Sequence, residues 1–587
     1  MAQQRVCRRR AGWLRRALPL AFLAFLALVG TVAWRRLARP PAFEPSAFIV
    51  IDLRAAVVPS AAVRASAGDV DVDGIDIPAL HEVATAAARD PRVAGILLRV
   101  AGPPGGLGRT QGLRSILAEF RRSGKPVVAY AQATDTLGYL AASAASEVWL
   151  EAGSALHFTG LSVSAPFYGK ALAARGLDVD LVRVGEFQGA CEQLGTAEPS
   201  VLFSQTMEAL AESLFVEVVG AVSRSRGITE NRVRQLVDSA PLAADVARRE
   251  RLIDALGERG DLERRLREAY GPEVRLVSAA RYRDVLIPAP TPHRVAVVEV
   301  RGPIVEPTGG FRATTTRVAD VESIVSALQR AEDDDGIDAV LLFVDSPGGT
   351  LAAAEAIRHQ VLRTARRRSI VAALGDGASA AAYLVASAAH EIVAPSGALT
   401  GGIGVFGGKV VVTARLRATG VRVESYRRGA RASFLDASVG FGIEERRVLE
   451  ERTDADYKRL VGAIAASRRL DFEAVDRVAR GRVWTGRQAL ELGLIDRLGG
   501  VDVALARLRA LLDIGESEAL EVVLPEAAGQ RGTRRAPPGS DRGLAYADGA
   551  RTETVDVPSE LAAAVFVAEL LDGRSSLSLA PLGLSIR

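Results

Sequence analysis

The chain is written twice, and that constrains its fold more than any other feature. The stretch ASAASEVW at 142–149 returns as ASAAHEIV at 386–393, an offset of 244, and Tyr139 and Tyr383 share that offset. The order of segments repeats as well. AFIVIDL (47–53) answers RVAVVEV (294–300), and VAGILLRVAGPPGG (93–106) answers IDAVLLFVDSPGG (337–349). KPVVAYA (125–131) answers RSIVAAL (368–374), and FTGLSV (158–163) answers LTGGIGV (399–405). The apolar runs read as buried strands, and LHEVATAAARD and ESIVSALQRAED between them read as helices. Strand and helix alternating at this spacing predict βαβ units and a largely parallel sheet in each copy. Each copy is followed by a helix-rich stretch, 200–238 in the first and 443–479 in the second.

The repeat divides the chain into an N-terminal unit at 41–285 and a C-terminal unit at 286–525. A Gly-, Arg- and Pro-rich linker follows at 526–556, then a tail at 557–587 in which SELAAAVFVAELLDG reads as an amphipathic helix. Ahead of the first unit, residues 1–16 carry six arginines between 5 and 16, and residues 17–34 are uncharged. Eighteen residues at about 1.5 Å each just cross a bilayer core. The larger positive charge precedes the segment, so the N-terminus is expected in the cytoplasm and the body beyond it, in the periplasm. No small-x-small cleavage site precedes Arg35, which favours a retained anchor over a removed signal peptide.

Composition adds exclusions. The net charge is only +4, and the arginines are scattered among acids, so no nucleic-acid partner is expected. Of the two cysteines, Cys7 lies before the apolar segment and Cys191 far after it, which argues against a structural disulfide. The five histidines read as surface residues, and none pairs with a serine and a carboxylate in a triad pattern. No metal site and no cofactor are expected. A serine activated by a neutral lysine remains open. DSPGGT (345–350) ends a strand in two glycines, Gly348 and Gly349. These turn backbone N–H groups toward a cleft, as an oxyanion hole requires, or simply form a tight turn. Gly401 and Gly402 form a second turn of this kind. GDGASAAAYLVAS (375–387) reads as the start of a helix presenting a serine, Ser379.

RVGEFQGACEQL (183–194), DSPGGT, ALTGGIGVFG (398–407) and GRVWTGRQALELGLIDRLGG (481–500) resemble the signal peptide peptidase A family in its long, membrane-anchored form. The resemblance covers nearly the whole chain. It implies an α/β fold of two tandem crotonase/Clp-protease-like units with helical extensions and one transmembrane helix. It further implies an oligomer, a tetramer, on the outer face of the bacterial inner membrane. The implied substrates are hydrophobic peptides such as cleaved signal peptides. Carried onto this chain, it places oxyanion donors at Gly348 and Gly349 and binding positions at Gly401, Gly402 and Tyr383.

The family's dyad is where this chain departs. The serine motif reads roughly G-D-x-A-A-S-G-G-Y, and aligning Gly375, Asp376 and Tyr383 puts Ala380, not Ser379, at the nucleophile. The lysine motif reads roughly R-V-G-x-[YF]-K-S-A, and RVGEFQGA puts Gln188 at the base. No lysine lies between Lys170 and Lys409. An amide has no proton to exchange near neutral pH. One step along a helix swings a side chain by about 100°. The expectation is a pseudopeptidase that binds hydrophobic peptides or pairs with an active relative. The alternatives are a peptidase using Ser379 with another base, such as Lys409, and a crotonase-type acyl-thioester enzyme.

Overall fold

The structure, a computed structural model, describes residues 46–53, 76–102, 105–132, 134–284, 292–306, 318–515, 518, 520–523, 576–579 and 585–586. The expected membrane segment at 17–34, the linker at 526–556 and the tail helix at 559–573 lie outside these residues. Among the described residues, no helix is long and apolar enough to cross a membrane.

Two parallel sheets carry the repeat. The first runs in the order Arg275–Ser278, Ala47–Leu53, Val93–Val100, Val127–Ala131, Glu147–Leu150, Ala255–Leu256. The second repeats that order as Leu520–Val523, His293–Arg301, Ala339–Ser346, Ser369–Ser379, Glu391–Ala394, Arg497–Leu498. Strands buried on both faces need near-continuous apolar runs, which is why VVAYA and AVLLFV form the sheet centres. Equivalent helices start on equivalent caps. Asp76 accepts from the Ala79 N–H at 3.1 Å before Ile77–Arg89, and Asp320 accepts from the Ser323 N–H at 2.8 Å before Val321–Asp333.

The repeat extends to buried polar contacts. Tyr139 Oη donates to Leu252 O at 2.8 Å, and Tyr383 Oη donates to Leu494 O at 2.7 Å. The long helices Val201–Arg226 and Ile443–Arg468 each end on an arginine that grips an aspartate, Arg226 with Asp254 and Arg468 with Asp496. Those aspartates in turn accept from the Val148 and Ile392 N–H groups.

The two copies are not independent bodies. Helix Val501–Leu511 packs its Val501, Leu505 and Leu508 into one core with Leu113, Ile116 and Leu117 of the first copy. A third sheet joins them further, in the order Ala319–Asp320, Ile304–Val305, Gly348–Thr350, Leu577–Leu579, Val405–Val411, Asp178–Val184. Its last strand comes from the first copy and runs antiparallel to Val405–Val411.

Some expectations change. FTGLSV does not form a strand over its length; only Val163–Ser164 does, because the 158–162 backbone has no sheet partner. The stretch from Gly375 to Ser379 is strand, and the helix begins at Ala381. His81 is buried, not a surface residue, with Nε2 3.3 Å from the Glu119 carboxylate.

Candidate active site

The copies differ most where strand hands over to helix. In the first copy, Asp135 is an extended N-cap that accepts from the Gly138 N–H at 2.8 Å, an ordinary start for helix Thr136–Ala142. In the second copy the strand runs on to Ser379, and Ala380 turns the chain with φ 58° and ψ −120°. Its N–H donates to Gly401 O at 2.6 Å. A left-handed backbone in an L-residue costs about 1–2 kcal/mol and concentrates at functional turns. Of the six non-glycine residues with positive φ among those described, Ala380 alone is buried. A strained strand-to-helix turn is the geometry that thrusts a nucleophile out of a sheet. Here it carries a methyl group.

Ser379 sits one step before that turn, in register with Gly401. It is 2% exposed, and its Oγ donates to Leu399 O at 3.3 Å. Gly401 and Gly402, at φ 78° and 60°, wrap the turn, and the Gly402 N–H donates to Arg482 O at 2.7 Å. Tyr383, placed among the binding positions by resemblance, is fully buried and committed to Leu494 O. It is a post beneath the turn, as Tyr139 is in the other copy, and offers no surface to a ligand.

Gln188 arrives from the first copy. The pairing of Val184 with Val405 carries it over the 401–404 turn, where it precedes helix Gly189–Gly195. A Cβ on Gly404 or Gly481 would come within 2.7 or 2.5 Å of its Oε1, so bare backbone makes its berth. It is 1% exposed, and neither Oε1 nor Nε2 has a hydrogen-bond partner. Ala380 bonds Gly401 while Gln188 abuts Gly404, three residues along one turn and at most about 11 Å of backbone apart. Thus the two family dyad positions converge, although 192 residues separate them in sequence, 188 to 380.

Lys409 is no substitute base. Its Nζ donates to the carbonyls of Ser433, Phe434 and Asp436 at 2.9, 3.2 and 3.0 Å and lies 4.4 Å from the centre of the Phe441 ring. Burial lowers its pKa, yet three carbonyls consume its donors. Cys191 is equally unsuited, because burial pushes its thiol up to about 12.

Gly348 and Gly349 adopt φ 110° and 159°. The Gly348 N–H donates to Ser346 Oγ at 3.2 Å, and any Cβ on Gly349 would overlap the Ile304 carbonyl. Strand Gly348–Thr350 forms one side of the third sheet's central gap and lies against helix Ala381–Ala386.

A charged cluster beside the turn had no signal in the sequence. Asp376 accepts from the N–H groups of Gly106 and Arg109, both at 2.8 Å, and so caps helix Leu107–Arg121 of the other copy. Burial, and then the facing Asp345, push its carboxyl up to about 6, against the pull of Arg109 and the two N–H groups.

A duplicated parallel α/β body with a strained turn between glycine loops defines the hydrolases of the Clp protease class. The sequence model for Clp protease matches residues 306–398, and that for peptidase family S49 matches residues 119–272 and again 363–515, more than half the chain. The chain belongs to peptidase family S49, a family of serine peptidases. It is 27% identical to Protease 4 of Salmonella typhi, covering 84% of this chain and 82% of that one. It is 25% identical to the chloroplastic serine protease SPPA of Arabidopsis thaliana, covering 76% and 68%. A further Protease 4, from Haemophilus influenzae, is 25% identical over 74% of this chain and 72% of its own.

Proposed function

We propose that this chain is a pseudopeptidase of its family, one that binds apolar peptides such as cleaved signal peptides without hydrolysing them. Ala380 carries the reading. The backbone keeps the costly turn of a nucleophile, and the side chain has no oxygen to attack with. Loss of the nucleophile in serine proteases lowers turnover by about a millionfold. Gln188 supports it, since an amide in the base position cannot accept a proton near neutral pH. Ser379 is a poor rescue, because its buried hydroxyl is spent on Leu399 O.

In this reading residues 17–34 anchor the protein in the inner membrane with the body in the periplasm. It acts as a homo-oligomer, a tetramer by family resemblance, or beside an active relative. The units at 41–285 and 286–525 work together, one supplying the base position and the other the turn.

The test is a fluorogenic apolar peptide titrated against the full chain in detergent, with anisotropy and fluorescence release read together. Saturable binding without release is expected. Release that Ser379→Ala abolishes would overturn the reading in favour of an active peptidase.

A further inference from the structure

The gap that faces the turn is already filled. Strand Leu577–Leu579 lies between Gly348–Thr350 and Val405–Val411, antiparallel to both. Gly348 pairs with Leu579, Thr350 with Leu577, and Phe406 with Leu577. The Leu351 N–H donates to Ser576 O at 3.0 Å, and Ser576 Oγ donates to the Asp456 carboxylate. Leu577 and Leu579 are 0% and 2% exposed, seated among Tyr168, Leu172, Cys191, Leu194 and Phe406.

Take these residues away and two strand edges face each other across a gap one strand wide, about 10 Å from edge to edge. An open pair of edges binds an extended chain through its backbone and reads alternate side chains in pockets. The sequence SSLSLAPLGLSI (575–586) suits that role. Leucines alternate with serine, and Pro581 has no N–H to continue a ladder. Both family dyad positions adjoin the gap. The pocket under the leucines is built partly from helix Gly189–Gly195, which follows Gln188, and helix Ala381–Ala386, which follows Ala380, touches the tail strand. Further on, Ser585–Ile586 pairs with Val163–Ser164 of the first copy, so the tail spans both.

We propose that this gap is a binding site for extended peptides with leucine-sized side chains at alternate positions, and that residues 576–579 are its resident internal ligand. The proposal rests on the peptide-binding reading above and adds what occupies the site. A tethered ligand acts at an effective concentration of about 1 mM. If its own affinity is about 100 μM, a competing peptide is weakened about tenfold.

The experiment compares the full wild-type chain with Leu577→Asp/Leu579→Asp. Two labelled probes are used: a synthetic peptide of residues 574–587, and an unrelated extended peptide with alternate leucines. Hydrogen exchange at the Leu351 amide is read alongside. The variant is expected to bind both probes about tenfold tighter than wild type and to exchange Leu351 faster. If Leu351 exchanges equally in both proteins and the probes bind them equally, the tail does not hold the gap and the inference falls. If the tail peptide binds the variant while the unrelated peptide does not, the inference stands and the general peptide-binding reading falls. If only the unrelated peptide binds, and equally to both, that reading stands and the inference falls. Should the double variant fail to fold, wild type with Leu579→Ala gives the same exchange comparison.

Discussion

Arg109 of the first copy holds Asp345 of the second, with Nε and Nη2 at 2.8 and 2.7 Å from the same Oδ2, while its Nε also lies 3.3 Å from Asp376. One guanidinium thus serves two carboxylates across the joint between the copies, directly behind the strained turn. Breaking such a buried group by removing one partner costs about 3–5 kcal/mol, because the remaining charges are left uncompensated. Arg109→Met should therefore lower the unfolding midpoint strongly at pH 8. At pH 5 the loss should be smaller, since Asp376 is then largely protonated and the facing carboxylates repel less. A thermal melt at the two pH values checks it, and an equal loss at both would contradict the assignment.

The raised carboxyl of Asp376 has its own signature. Between about pH 4 and pH 6 the folded chain keeps a proton that the unfolded chain has released, so this group's contribution to stability falls as pH rises. Above about 6 both states are ionised and the contribution is flat. The depressed carboxyls of Asp90 and Asp436, near 2, act in the opposite sense and at lower pH. Asp376→Asn should remove the fall between pH 5 and 6, as measured by melting midpoints taken every half unit. An unchanged slope would assign it elsewhere.

Gln188 makes a prediction of opposite sign to most core substitutions. A buried amide with neither atom bonded carries a desolvation penalty of about 1–3 kcal/mol. Gln188→Met keeps the length and removes the polar atoms, so it should raise the melting midpoint. A drop would mean that the amide has a partner in solution.

Two neighbouring alanines should respond differently to glycine. At Ala380, glycine relieves the left-handed strain of about 1–2 kcal/mol and offsets the added freedom of the unfolded chain. Ala380→Gly should be neutral or stabilising. Ala382→Gly, in the helix just beyond, should destabilise by about 1 kcal/mol. Equal losses at both sites, measured by denaturant titration, would remove the argument from strain.

Much of this was legible in the sequence, and for a physical reason. The strands are buried on both faces, so their apolar runs survive duplication as recognisable text, and the offset of Tyr139 and Tyr383 reproduces a real shared contact. Aligning Gly375, Asp376 and Tyr383 put Ala380 at the turn, and the turn's geometry is found there. The signature at 481–500 is also accounted for: Thr485 caps a helix through the Gln488 N–H, Leu494 O takes the Tyr383 hydroxyl, and Asp496 takes the Ile392 N–H. The third sheet was not legible. Four of its strands are two or three residues long, too short to show a period, and they meet from distant parts of the chain. The Arg109, Asp345 and Asp376 cluster joins residues more than 230 positions apart, with nothing local to announce it.

The most direct measurement restores the two missing groups. Full-length wild type and Gln188→Lys/Ala380→Ser are given a fluorogenic apolar peptide at concentrations that outcompete the tail, and hydrolysis is followed. The account predicts that wild type is silent and the double variant cuts, because the turn, the glycine loops and the berth for the base are already built. Cleavage by wild type would contradict it.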